Sequence, residues 1–218
     1  MNLEKLENHC ADFILQQQIH DAAHDINHIK RVVATAKKLC KQENADIHIV
    51  LPAAWLHDCV SFPKNHPDNK RASTLAGEKS VEFLTSIGYP SEYLDAIAHA
   101  IKTHSYSANI TPETLEAKIV QDADRLDGLG AIGVSRCMLV AGKLGSKLYN
   151  PEDPFCQVRT PNSKVAAVDH FYEKLFKTAK TMTTKAGLQE AQKRVEFMQG
   201  FLAQLAAELG DESVLSMP

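Results

Sequence analysis

Residues 46–60 read DIHIVLPAAWLHDCV. Asp46 places a side-chain acceptor in front of an apolar run, which is the chemistry of a helix N-cap. The helix it opens carries Ile47, Val50, Leu51, Ala54 and Val60, most of them at steps of three and four. Pro52 removes one backbone hydrogen bond and is expected to bend it. Ala53-Ala54-Trp55-Leu56 has the composition of a core, yet a His57-Asp58 pair follows at once late in the same helix.

The same period governs the flanking chain. Leu3, Leu6, Cys10, Phe13 and Ile14 form one apolar stripe, and Ile29, Val32, Val33, Ala36, Leu39 and Cys40 form a second, running to about Gln42. Residues 61–72 lose the period and read as a loop. Ser73 is expected to start a helix that Gly88 closes in a left-handed cap with Pro90 beyond it. Ser91 is expected to cap the next, and Thr111-Pro112 to open one carrying Leu115, Ile119, Val120, Ala123 and Leu126. Another runs from about Ala131 to Leu144. Residues 145–164 form a proline-containing loop long enough to be a lid or substrate loop. Two amphipathic helices are expected around 165–184 and 187–209. With no strand-like alternation, repeat or linker, the chain reads as all-α. The expectation is one domain over 1–218, with its core at about 20–130 and a C-terminal helical pair at about 165–209.

Composition narrows the function. A formal net charge of -3 gives nucleic acid or an anionic membrane no basic field to read. No apolar run approaches the ~20 residues of a membrane span. Five scattered cysteines without a C-x-x-C pair suit reduced thiols in a cytoplasm. Ten histidines are an excess, and several cluster in HDINH at 24–28 and in the His57-Asp58 pair. Ile119-Val120 leads into QDADRLD at 121–127, with three carboxylates. Buried carboxylates need cations, metal or strong donors nearby. Imidazole with carboxylate suits Mn, Fe, Co, Ni or Zn, with Mg also compatible.

His28, the pair His57-Asp58, and Asp124 resemble, in order, the H…HD…D signature of the HD superfamily of metal-dependent phosphohydrolases. Most of the chain is similar to the bacterial YedJ-type HD hydrolases. The likeness includes Lys64-Asn65-His66-Pro67, His104-Ser105-Tyr106-Ser107, the run from Ala117 to Gly133, Glu152-Asp153-Pro154-Phe155 and Asp169-His170-Phe171. The resemblance implies an HD-type helical bundle, one divalent metal on His28, His57, Asp58 and Asp124, and hydrolysis of a small phosphorylated substrate, nucleotides foremost. Its last ligand is the Asp of an Ala-Asp pair, hence Asp124 and not Asp122 or Asp127. Adjacent helical residues point ~100° apart, so His57 and Asp58 can share a metal only near the helix end.

The expected reaction is attack of metal-activated water on phosphorus. Asp58 and His104 are the candidates for proton transfer. Lys64, Arg71 and Arg159 are the candidate phosphate clamps, with Lys70 and Lys102 behind them. His24 and Asp25 either orient a ligand imidazole or cap a helix, and Asp127 either accepts from Arg125 or a ligand histidine or forms a surface pair. His99 is expected in the core. Relatives that hydrolyse the alarmone ppGpp and HD 5′-nucleotidases place acidic residues where Ser61 and Phe62 stand, which weighs against both activities. A nucleotide-binding regulatory module with little turnover is the alternative, and a homodimer is compatible with the helical faces. A helical scaffold would explain the stripes but not the buried carboxylates.

Overall fold

The computed structural model describes residues 2–17, 26–62, 66–105 and 108–211. His24, Asp25 and Lys64 therefore lie outside the described residues. Helices account for the regular structure there, and the one β-type pairing is an isolated parallel bridge between Lys147 and Ala166. Two compact units are formed: residues 1–124 with 183–187, and residues 125–182 with 188–218.

The first unit contains α1 (Leu3–Gln16), α2 (Ile26–Glu43), α3 (Ile47–Leu56), α4 (Ala72–Ser86), α5 (Leu94–His104) and most of α6 (Leu115–Asp127). Helix α3 is its axis. Seven consecutive residues, Val50 to Leu56, are buried, and α3 packs on α1, α2, α4 and α5. A helix apolar all round belongs inside a bundle. Asp46 caps it as expected, accepting from the His48 N–H at 2.8 Å. Pro52 leaves the His48 carbonyl without its i+4 donor, and the Tyr89 hydroxyl donates to that carbonyl at 2.7 Å. Tyr89→Phe should keep the ring packing and cost about 1 kcal/mol in urea unfolding; an unchanged midpoint would show that this bond contributes nothing.

Several helix ends differ from expectation. Helix α3 stops at Leu56, so His57-Asp58 sit just past its end, with Cys59 N–H turning back to the Leu56 carbonyl. Pro67–Arg71 forms a 3-10 turn ahead of α4, which begins one residue before Ser73. Gly88 is left-handed at φ 72, as its position implies. Ser91 makes no side-chain cap: it begins a short 3-10 turn, Ser91–Tyr93, and α5 follows from Leu94. Thr111-Pro112 does not open α6. Thr114 does, its hydroxyl accepting from the Ala117 N–H at 3.2 Å, because a threonine directly before the helix outcompetes one three residues earlier.

The second unit holds the end of α6, α7 (Gly130–Leu144), a π-helical turn at Phe171–Leu175 continuing into α8 (Phe176–Ala179), and most of α9 (Lys185–Leu209). The first expected C-terminal helix is thus much shorter than 165–184. Its leading residues are held in backbone bonds to 147–148 instead. The long loop is tied down from within. Asp153 accepts from the N–H groups of Gln157, Val158 and Arg159, and Phe155 is buried.

Candidate metal centre

Three helical segments of the first unit aim four side chains at one point. His28 comes from the first turn of α2, His57 and Asp58 from the end of α3, and Asp124 from α6. One ligand atom from each of His28, His57 and Asp58 lies within 4.8 Å of the others. His28 Nε2 is 3.4 Å from His57 Nε2, 3.6 Å from Asp58 Oδ2 and 3.4 Å from Asp124 Oδ1. His57 Nε2 lies 3.5 Å from Asp58 Oδ2 and 3.9 Å from Asp124 Oδ1. Atoms ~2.1 Å from a common ion are about 3–3.5 Å apart at octahedral to tetrahedral angles. The end of α3 at Leu56 is what lets adjacent residues share this point.

The protonation chemistry agrees with the spacing. His57 Nδ1 lies 2.7 Å from the Ala54 carbonyl, which can only accept, so Nδ1 carries the proton and neutral His57 turns the Nε2 lone pair inward. Burial lowers the pKa of His57 against the pull of Asp58. Burial raises the Asp58 carboxyl, but the electrostatic pull of the adjoining His57 ring and hydrogen bonds from His104 and His28 outweigh it, leaving it well below the carboxylate range. Asp124 is likewise raised by burial and drawn below its usual value chiefly by a hydrogen bond from His28. Two imidazole nitrogens with two carboxylates form a hard-to-borderline donor set that fits a divalent cation, whose binding would displace the protons from the inward-facing nitrogens.

His104 completes the surroundings. It ends α5, is buried, and brings Nε2 to 3.5 Å from Asp58 Oδ1, its ring edge-on to His57. Burial lowers its pKa, but the hydrogen bond and charge of Asp58 overcome that and raise it.

The three carboxylates of residues 121–127 go separate ways. Asp124 joins the histidines. Asp122, fully buried, accepts from the backbone and hydroxyl groups of Thr183 and Thr184. Asp127, buried in the second unit, pairs with Arg136 at 2.8 Å, and not on the surface as a peripheral pair would. Arg71 is exposed, 3.5 Å from Asp68. The Arg159 guanidinium, read from sequence as a phosphate clamp, is bonded through both terminal nitrogens to Asp169, at 2.5 and 2.6 Å. His99 is not wholly in the core: its Nε2 accepts from the Glu113 N–H. Sequence reasoning passed over Ser73 and Gln121, both buried beside the end of α5. Gln121 gave one signal, an amide directly after the apolar pair Ile119-Val120 and one turn before Asp124.

The family model for the HD domain matches residues 25–129, a span that holds all four converging residues. YpgQ of Bacillus subtilis is 32% identical over 192 residues, covering 86% of this chain and 85% of YpgQ. The chain belongs to the HD domain family. An HD-superfamily hydrolase of Bacillus thuringiensis has the same fold, at 31% identity and TM-score 0.75 over 96% of this chain and 99% of the other. The structure of YpgQ in complex with ADP superimposes with TM-score 0.70 at 31% identity, covering 95% and 99%. HD domains bind divalent metals, and His28, His57 and Asp58 form, among the described residues, a cluster that could hold one. Among its described helices none is long and apolar enough to cross a membrane.

Proposed function

We propose that this HD protein is a metal-dependent phosphohydrolase that cleaves a phosphoanhydride of a nucleotide by attack of water on phosphorus. The carrying observation is the convergence of His28, His57, Asp58 and Asp124 within metal-sharing distances, with His104 against Asp58. A bound divalent ion supplies charge neutralisation at phosphorus and a lowered pKa for water. His28 and His57 contribute neutral Nε2 atoms, and the Ala54 carbonyl holds His57 in that tautomer. Asp58 and Asp124 contribute ionised oxygens. His104 holds a proton at Nε2, beside Asp58, for the departing oxygen. Arg71, exposed at the end of the 3-10 turn, is the candidate phosphate clamp. The ADP complex of YpgQ supports a nucleotide as the substrate class. Five unpaired cysteines suit a cytoplasmic setting.

A substrate panel with Mn, Mg, Co and Ni tests the reading. Nucleoside triphosphates should yield monophosphate and pyrophosphate, and reaction in ¹⁸O-water should label the monophosphate. Label in orthophosphate would place attack at the terminal phosphorus instead. If sugar phosphates are cleaved and no nucleotide is, the substrate class is wrong while the hydrolase stands.

A further inference from the structure

The last four carbonyls of a helix have no partner within it. At the end of α5 three of them are met by side chains from three places. Ile101 O accepts from His104 Nδ1 at 2.6 Å, Lys102 O from Ser73 Oγ at 3.0 Å, and Thr103 O from Gln121 Nε2 at 2.7 Å. Ser73 and Gln121 are buried, as are Thr103 and His104. Gln121 stands three residues before Asp124 on α6, on the same helical face. One helix therefore carries a metal ligand and, one turn away, the amide that grips the backbone beside His104.

We propose that Gln121 is a positioning residue: its amide, donated to the Thr103 carbonyl, fixes where His104 stands relative to Asp58 and Asp124. Ser73 does the same, more weakly, from α4. Thr103 and His104 are adjacent, so a shift of the Thr103 carbonyl moves the imidazole directly. The donors on His28, His57 and Asp58 come from α2 and α3, and Gln121 touches neither helix through this bond. Loss of the amide should therefore displace the proton carrier and leave the metal-binding cluster in place. The inference rests on the role given to His104 above.

Gln121→Met keeps length and volume and removes the donor. In the metal-loaded protein kcat should fall about ten- to a hundredfold, the scale of a displacement of ~1 Å at a reacting group. KM and the metal dissociation constant should stay within about threefold. Gln121→Met added to His104→Ala should slow the reaction no further than His104→Ala alone, because a residue acting through another is silent once that other is gone. A full additive loss, an unchanged kcat, or a His104→Ala variant as fast as the parent overturns the proposal. NMR of the imidazole carbons gives a readout without turnover: Gln121→Met should shift the His104 resonance and leave those of His28 and His57 in place. Unmoved His104, or equal movement of all three, overturns it even if no substrate in the panel is cleaved, an outcome that would count against the functional reading alone. Should Gln121→Met fail to fold, Ser73→Ala should show the same pattern with a smaller loss of kcat.

Discussion

Asp124→Ala should lose stoichiometric divalent metal and lower kcat/KM on the order of 10³-fold, ~4 kcal/mol of transition-state stabilisation. Its Oδ1 faces both ligand imidazoles, at 3.4 and 3.9 Å, so its removal takes one of four donors and half the anionic charge of the centre. The remaining cluster of His28, His57 and Asp58 has one negative charge with which to hold a doubly charged ion. The fold should survive. Asp124 is part-exposed, and α6 is seated by Ala117, Ile119, Val120 and Ala123, all buried on the core side. Metal content by elemental analysis, turnover and far-UV CD together check this. A variant that keeps stoichiometric metal and normal turnover removes Asp124 from the centre.

The largest effect on stability should come from Arg159→Ala. Asp169 is fully buried, and the bidentate Arg159 guanidinium, with the Asn162 N–H, offsets the cost of burying its charge. Removing one partner of such a pair costs about 3–5 kcal/mol, since the other is left buried and charged. Expected from its charge to clamp phosphate, Arg159 has both terminal nitrogens committed to Asp169. The pH dependence carries a sign. Burial raises the Asp169 carboxyl, but the hydrogen bond from Arg159 and those from Asn162 and Cys156 bring it below its ordinary value. A depressed folded pKa contributes stability that is present above the unfolded value of ~3.9 and lost as pH falls through the folded one. The parent should therefore lose this contribution only in the acid limb below about pH 4. In Arg159→Ala burial is unopposed by the guanidinium, so the deficit should be greatest at neutral pH and shrink on mild acidification. Denaturant unfolding at pH 7.5 and 5.5 distinguishes the two, and an equal deficit at both would show that Asp169 is not carrying the charge.

The helices other than α3 were legible because they bury one face, and the period of that face survives in the residue order. Leu6, Cys10 and Ile14 are buried along α1, and Val32, Val33, Ala36, Leu39 and Cys40 along α2. The residues that converge in the first unit were legible for the opposite reason: polar side chains interrupt apolar runs. Helix starts were less so, since Ser91, Thr111 and Thr114 are chemically equivalent caps until the backbone selects one. Arg159 was misjudged because a charge announces itself in a sequence but its partner, ten residues on, does not. Gln121 was passed over because a neutral amide carries no signal of the carbonyl it will meet 18 residues back.

The bonds from Thr183 and Thr184 to Asp122 span 61 and 62 residues, and that separation has a consequence for biosynthesis. A ribosome adding 5–20 residues per second delivers Thr183 roughly 3–12 s after Asp122. Until then the nascent α6 holds a carboxylate, destined for the interior, that water alone can satisfy. Gly187 seals the arrangement, for a Cβ there would stand 2.4 Å from Asp122 Oδ2. A fragment ending with the family match at residue 129 would encode all four proposed metal ligands, yet lack the hydroxyls and N–H groups that let the helix bearing Asp124 settle. The order of synthesis thus keeps the helix bearing Asp124 unfinished until the chain has run well past the last of the four converging residues.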